Sequence, residues 1–375
     1  MVIDAVVALP VQASHEPTGT EPVTVIYGET ATSGGQAIQP LTSIRTIGTR
    51  IPRGDCPSAP DRRQRLVWRL KCGTARHLDV RFRCSGRALS REEDTMYEAE
   101  ISRRNPTAFL LLVDQSASMA ERFGMDLSIS KAQFVTDVVN RWLQGLVLRA
   151  AKGNDIRDYF HVGVITFGGG NVQSAIPGAD DELAPISKVG MSPLRVEDRR
   201  QMVDDGAGGV IQRTVKFPVW LEPRAEGNTP MRAAFARALA ILRPWVGEHR
   251  TSFPPTVLSV TDGEFTDGDP SSLAAEIRSL ATEDGHVMVF NCHISGLSGS
   301  PILYPSSPGG LPDRYARLLF AMSSELPAIL RRVAQEFGHN LEDGARGYAY
   351  QADAATFVQF LEIGTRSSQS LVLER

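Results

Sequence analysis

From about residue 105 the chain alternates between two apolar rhythms. Residues 108–113 (AFLLLV) form an unbroken apolar run, the pattern of a strand buried on both faces of a parallel sheet. Val135, Val138, Val139, Trp142, Leu143, Leu146 and Val147 then recur at the three-and-four spacing of one helix face. Residues 161–167 predict a second strand, closed by the glycines at 168–170, and 231–242 predict a helix with Ala234, Phe235, Ala238 and Leu239 on one side. Further strands are predicted at 256–260, 287–294 and 347–350. The remaining helices are predicted at 271–281, opened by Asp269 and Pro270, at 325–337, and at 354–361, capped by Asp353. Repeated strand–helix units imply an α/β fold, a mainly parallel central sheet flanked by helices on both faces.

Residues 1–100 follow neither rhythm. Short strands are predicted at 22–27, 66–70 and 78–82, with Pro52, Gly54, Pro57 and Pro60 marking a loop between the first two. Arg91, Glu92, Glu93 and Asp94 read as a linker or a solvated face. The expected organisation is a small β-rich N-terminal module (1–100), an α/β domain (105–365) and a C-terminal tail (366–375). The α/β domain carries a long insertion at about 170–227, holding a polar turn (178–182), a charged stretch (195–200) and a strand-like run (214–220). A second loop, 296–312, is rich in Gly, Ser and Pro. Loops of such length are usually functional.

Composition removes some classes of function. Of 375 residues 42% are hydrophobic and 22% charged, with a formal net charge of −3. That balance lacks the basic footprint of a nucleic-acid-binding protein. The first residues have a short apolar run at 5–11 with Asp4 beside it and no Lys or Arg before it, unlike a secretory signal. No stretch approaches the ~20 apolar residues of a membrane-spanning helix. A cytoplasmic protein without nucleic-acid or membrane partners is expected. Cys56, Cys72, Cys84 and Cys292 are too scattered for a disulfide framework. With His77, the first three also miss the paired spacing of structural zinc sites. His161, His286 and His293 sit on or beside apolar strands and read as core or edge residues. Trp142 reads as core, and Trp220 as core or contact surface.

The first apolar strand runs into Asp114-Gln115-Ser116-Ala117-Ser118-Met119. A carboxylate and two hydroxyls at alternate positions can turn toward one centre, and all are hard oxygen ligands suited to Mg²⁺, Mn²⁺ or Ca²⁺. The loop leaves the carboxyl end of its strand, where open α/β sheets place their ligands. Two other segments should end at that edge. Thr229 offers a hydroxyl at a helix start, and Asp262 offers a second carboxylate after the strand at 256–260. Asp267 and Asp269 read as helix caps, and Gly263 as a turn residue.

Taken in this order, Asp114, Ser116, Ser118, Thr229 and Asp262 resemble the metal-ion-dependent adhesion site of von Willebrand factor A-type domains, over about residues 105–365. The resemblance implies a Rossmann-like domain that holds Mg²⁺ (or Mn²⁺). Ser116 and Ser118 would bind the ion directly, Thr229 directly or through water, and Asp114 and Asp262 largely through water. An octahedral ion with two or three protein ligands keeps one outward position, so a partner protein's Asp or Glu would complete the shell. The strings around Thr229 and Asp262 further resemble intracellular bacterial versions of the tellurium-resistance-associated type, linked to kinases, phosphatases and stress responses. These features imply a binding protein and not an enzyme. Two alternatives are an A-type-like scaffold whose contacts are metal-independent, made by the insertion or the N-terminal module, and a Mg²⁺-dependent phosphatase. The phosphatase reading lacks its acid/base aspartate, because position 116 is Ser.

Overall fold

The structure is a computed structural model. It describes residues 96–365, apart from 124–128, 154, 177–181, 205–209 and 296–299, together with the backbone of four strands before residue 90. The chain divides into two compact units, 1–89 and 90–375. In the first, β1 (Val23–Tyr27) pairs antiparallel with β2 (Arg45–Thr49), and β3 (Val67–Cys72) with β4 (Arg76–Arg81). β2 has one large apolar residue and gave no alternating signal. The loop at 52–60, the charged stretch 91–94, Cys56, Cys84 and the tail 366–375 lie outside the described residues. Residues 97–99 belong to the second unit: the Tyr97 amide donates to Asp284 O at 2.7 Å, and the Glu98 and Ala99 amides to Asp284 Oδ1.

The second unit is the expected α/β fold. Its main elements are β5 (Thr107–Asp114), α1 (Lys131–Ala150), β6 (Phe160–Gly168), β7 (Asn171–Ser174), α2 (Ile186–Met191), β8 (Arg195–Asp204), β9 (Val210–Val219) and α3 (Met231–Glu248). Then follow β10 (Thr256–Thr261), α4 (Ser271–Ser279), β11 (Met288–Ile294), β12 (Ile302–Leu303), α5 (Arg314–Met322), α6 (Ala328–Glu336), β13 (Tyr348–Ala352) and α7 (Ala354–Gly364). The sheet has eight strands in the order β7-β6-β5-β10-β11-β13-β12, with Ala184–Pro185 also pairing with β6. β5, β6, β10, β11 and β13 are parallel, whereas β7 and β12 are antiparallel. The two halves diverge at β5, which starts the chain's path yet lies inside the sheet. Ligands of doubly wound sheets bind at such a switch point.

Two hydrophobic layers explain why β5 is apolar without interruption. Phe109, Leu111 and Val113 join residues of α1, α6 and α7, while Ala108, Leu110 and Leu112 join those of α3, α4 and α5. Each buried large side chain contributes about 1.5–3 kcal/mol, so both faces reward the run. α3 continues past the predicted stop and through Pro244 because Trp245 and Val246 are buried beyond it. α6 begins three residues late, with Pro327 as its N-cap. α5 was not predicted. It is held at its start by Asp313, whose carboxylate accepts from the Tyr315 and Ala316 amides.

The insertion is an ordered structure. The charged stretch at 195–200 is not a loop: it opens a ten-residue antiparallel ladder, with Arg195 opposite Val219 and Asp204 opposite Val210. The Arg199 guanidinium lies 3.8 Å from the Phe217 ring centroid and pairs with Asp137 of α1. Trp220 is core, its indole N–H donating to Val189 O at 2.7 Å. The chain then returns under a clamp from α1. Asn140 is buried; its Oδ1 accepts from the Trp220 and Leu221 amides, and its Nδ2 donates to Leu221 O.

Asn140→Ala strands three buried backbone groups at about 1–3 kcal/mol each before relaxation. A net loss of about 2–4 kcal/mol is expected in urea denaturation. A loss below about 0.5 kcal/mol, the scale of an ordinary surface substitution, would show that the clamp does not hold the insertion.

Candidate metal centre

The loop after β5 is laced to two neighbours by backbone bonds. The Gln115 amide donates to Phe167 O at 2.7 Å, the Glu226 amide to Gln115 O at 2.8 Å, the Ala117 amide to Gly227 O at 3.0 Å and the Gly169 amide to Glu226 O at 2.6 Å. So close an approach requires glycine. A Cβ on Gly168 would lie 2.4 Å from Gln115 O, and one on Gly227, at φ +59°, would lie 2.7 Å from the Gly169 Cα. The lacing carries the chain from 226 into Thr229 at the same edge of the sheet as Asp114.

Four of the five predicted residues, Ser116, Ser118, Thr229 and Asp262, line one cleft of about 720 Å³. The hydroxyls of Ser116 and Ser118 are 3.1 Å apart, and the Ser118 hydroxyl donates to Asp262 Oδ1 at 2.8 Å. Thr229 is held through its backbone: its amide donates to Thr266 Oγ1 at 3.1 Å, and its carbonyl accepts from the Thr266 amide at 3.0 Å. The fifth residue stands behind the wall. Asp114 is 1% exposed, and its two oxygens accept from the Ser116 amide at 2.8 Å and the Thr261 hydroxyl at 2.7 Å. Its carboxylate therefore shapes the loop and supplies charge from beneath. The expected turn and caps are present: Gly263 has φ +134°, Asp267 accepts from the Arg232 and Ala233 amides of α3, and Asp269 accepts from the Ser271 amide of α4.

The cleft also holds residues that the sequence did not mark. Lys131 Nζ pairs with Glu121 Oε2 at 2.6 Å and with Asp262 Oδ2 at 3.1 Å. Burial pulls this ammonium down, but the hydrogen bonds and charges of Glu121 and Asp262 outweigh burial and hold it above its ordinary value. His293, expected as a core or edge residue, lies in the cleft wall instead, because β11 ends at the same sheet edge as β5 and β10. Its Nδ1 accepts from the Gln351 amide at 3.3 Å, so its Nε2 carries the proton and donates to Asp262 O at 3.0 Å. Burial lowers the His293 pKa, in keeping with a neutral ring, which stacks on Tyr350 at 4.6 Å between centroids. Gln351 adopts φ +53°, a costly conformation for a residue with a side chain. Thr261, the last residue of β10 and buried outside the cleft, is a further unmarked partner, and a hydroxyl inside a buried strand was its available signal.

The donor set suits a hard divalent cation. Neutral hydroxyl oxygens stand at the front, one carboxylate lies in the wall and a second behind it. Among the described residues no group of three His, Cys, Asp or Glu side chains is placed to hold an ion without hydroxyls. Burial, opposed by the Ser116 and Thr261 hydrogen bonds and aided by the Asp262 charge, pushes the Asp114 carboxyl up to about 6. A nearby positive charge would relieve that penalty.

No family model matches the chain, and no curated protein matches it. Among solved structures it is similar to the vWF domain of the type V pili tip protein Mfa5 from Porphyromonas gingivalis. That likeness has 10% identity and a TM-score of 0.26, covering 44% of this chain and 40% of that one.

Because the folded Asp114 binds its proton more tightly than the unfolded chain does, stability falls as pH rises from the ordinary value of 3.8 through about 6. In EDTA the wild type should lose up to about 3 kcal/mol between pH 4 and pH 7.5 relative to Asp114→Asn, which cannot ionise. Urea denaturation across that range measures the difference, and parallel pH profiles for the two proteins would overturn it.

Proposed function

We propose that the second unit is a von Willebrand A-type domain whose cleft holds Mg²⁺ or Mn²⁺ and binds a protein partner through one of the partner's carboxylates, without catalysing a reaction. The observation that carries this reading is the hydrogen-bonded chain Ser116–Ser118–Asp262, with Thr229 in the same wall and Asp114 locked beneath it. Ser116, Ser118 and Thr229 would hold the ion with neutral oxygens, and Asp114 and Asp262 would supply negative charge around it. When bound, the ion supplies an electrophilic position that an Asp or Glu of the partner can fill. His293 and Gln351 line the same cleft and would border the partner's carboxylate. Among the described residues no helix is long and apolar enough to cross a membrane. The reading extends to a cytoplasmic adaptor of the tellurium-resistance-associated kind, working beside kinases and phosphatases.

The test is affinity capture of partners by the full chain with Mg²⁺ and with EDTA. Capture should require Mg²⁺ and should fall at least about tenfold in Ser118→Ala, which removes one neutral ligand, and in Asp114→Ala, with native circular dichroism in both. Tenfold corresponds to a loss of about 1.4 kcal/mol. Capture that survives EDTA and both variants would refute the reading.

One observation favours a metal-independent contact as a second reading. Met191, Leu194 and Val196, at the root of the β8–β9 hairpin, are 74%, 51% and 55% exposed. Large apolar side chains exposed this close together mark contact surfaces in soluble proteins. If this face binds the partner, Leu194→Asp with Val196→Asp should abolish capture while EDTA leaves it unchanged. The opposite pattern would dismiss the hairpin.

A further inference from the structure

Lys131 occupies a position that two penalties oppose. It is the first residue of α1, where the aligned peptide dipoles already present positive charge and a further cation is unfavourable. Its side chain is 6% exposed, and burying an ammonium is costly unless it is paired. Both penalties are offset by two carboxylates. Glu121, 67% exposed, holds Nζ from the solvent side and belongs to the loop that carries Ser118, its amide donating to Ser118 O. Asp262 holds Nζ from the inside and is split between two tasks: Oδ1 accepts from the Ser118 hydroxyl while Oδ2 faces the ammonium.

We propose that Lys131 is a built-in monovalent cation that shares Asp262 with the divalent ion and so weakens the ion's hold on the cleft. The proposal rests on the metal-binding reading above. Asp262 and Glu121 share the ammonium, so part of the Asp262 charge is neutralised before any ion arrives. A divalent cation approaching the Ser118–Asp262 pair meets a fixed positive charge hydrogen-bonded to the same carboxylate. At separations of a few ångströms and an effective dielectric near 20, that repulsion amounts to at least about a factor of ten in affinity. Carboxylates free of the ammonium would hold the ion more tightly. The ammonium also holds Asp262 against Ser118 and Glu121 in the absence of the ion, so the cleft need not reorganise to receive one.

Isothermal calorimetry of the full chain titrated with MnCl₂ tests the proposal, using the wild type, Lys131→Gln, Lys131→Met and Lys131→Arg. Lys131→Gln retains donors for both carboxylates and removes the charge, and Lys131→Met removes donors and charge. Both should bind Mn²⁺ about tenfold more tightly than the wild type, and Lys131→Arg should stay within about threefold of it. A lysine with a purely structural role would give the opposite sign, since losing it would loosen Asp262 and weaken uptake. Wild-type uptake with unchanged or weaker binding in folded Lys131→Gln overturns this inference and leaves the metal reading intact. No uptake by the wild type overturns both.

Discussion

An ionised carboxylate with almost no access to water survives in a folded protein when donors meet its oxygens and positive charge lies near. Asp114 meets the first condition through two different elements. One oxygen takes the amide of Ser116 in its own loop, and the other takes the hydroxyl of Thr261 at the end of the neighbouring strand β10. Because β5 and β10 are parallel neighbours, from Thr256 opposite Phe109 to Val260 opposite Val113, this one side chain ties two strand ends together where the sheet stops. The next residue after Thr261 is Asp262. Pinning Thr261 therefore sets where the second carboxylate stands, within reach of Ser118. The second condition is unmet among the side chains that touch Asp114, and its carboxyl is raised, whereas Asp262 in the cleft wall has the Lys131 ammonium.

The parallel sheet and four walls of the cleft could be read from the chain because their signals are local. Residues 108–113 are apolar on both sides of the strand, and Asp114, Ser116 and Ser118 alternate over a few positions. Thr229 and Asp262 were found because each follows a predicted element that must end at the same edge. Residues whose roles depend on distant partners left no such trace. Lys131 is one of five lysines with nothing to mark it until Asp262 is brought beside it, and His293 looks like any polar residue near a strand end until β11 is placed next to β10. In the hairpin β9 left a strand-like signal at 214–220, and β8 was missed for another reason. Arg195, Glu197 and Arg199 alternate with Val196, Asp198 and Arg200, so the apolar–polar period of a strand is missing. Its ladder is held by β9, which presents Phe217 and Val219 to the core.

The insertion bears on the site through its anchor more than through its tip. Trp220 and Leu221 are fixed to α1 by Asn140, and within a few residues the chain reaches Glu222, whose carbonyl accepts from Gln115 Nε2, and then Glu226 and Gly227. Gln115 and Ala117 of the Asp114 loop bond directly to that segment. A long excursion between β7 and α3 would ordinarily leave the start of α3 free to drift. Here its return path is hydrogen-bonded both to a core helix and to the Asp114 loop, so Thr229 is positioned by the same network as Ser116.

The chemistry around the cleft also bears on which class of ion its residues could hold. Borderline and soft metals select imidazole and thiolate, and one of each lies next to the other on β11. Neither is available. The two ring nitrogens of His293 are committed, one accepting from the Gln351 amide and the other donating to the Asp262 carbonyl, so no lone pair faces the cleft. Cys292 points to the opposite layer, where it is fully buried, and burial pushes its thiol far above the range in which a thiolate forms. Within the predicted set what remains accessible is oxygen, the hydroxyls of Ser116, Ser118 and Thr229 and the carboxylate of Asp262, with Glu121 and Glu264 also lining the cleft. A set that is mostly neutral, backed by buried charge and opposed by an ammonium, favours an ion of high charge density that keeps water in its shell. That is the behaviour of Mg²⁺ more than of zinc, and under the proposed function exchange of such water for a partner's carboxylate would be the binding step.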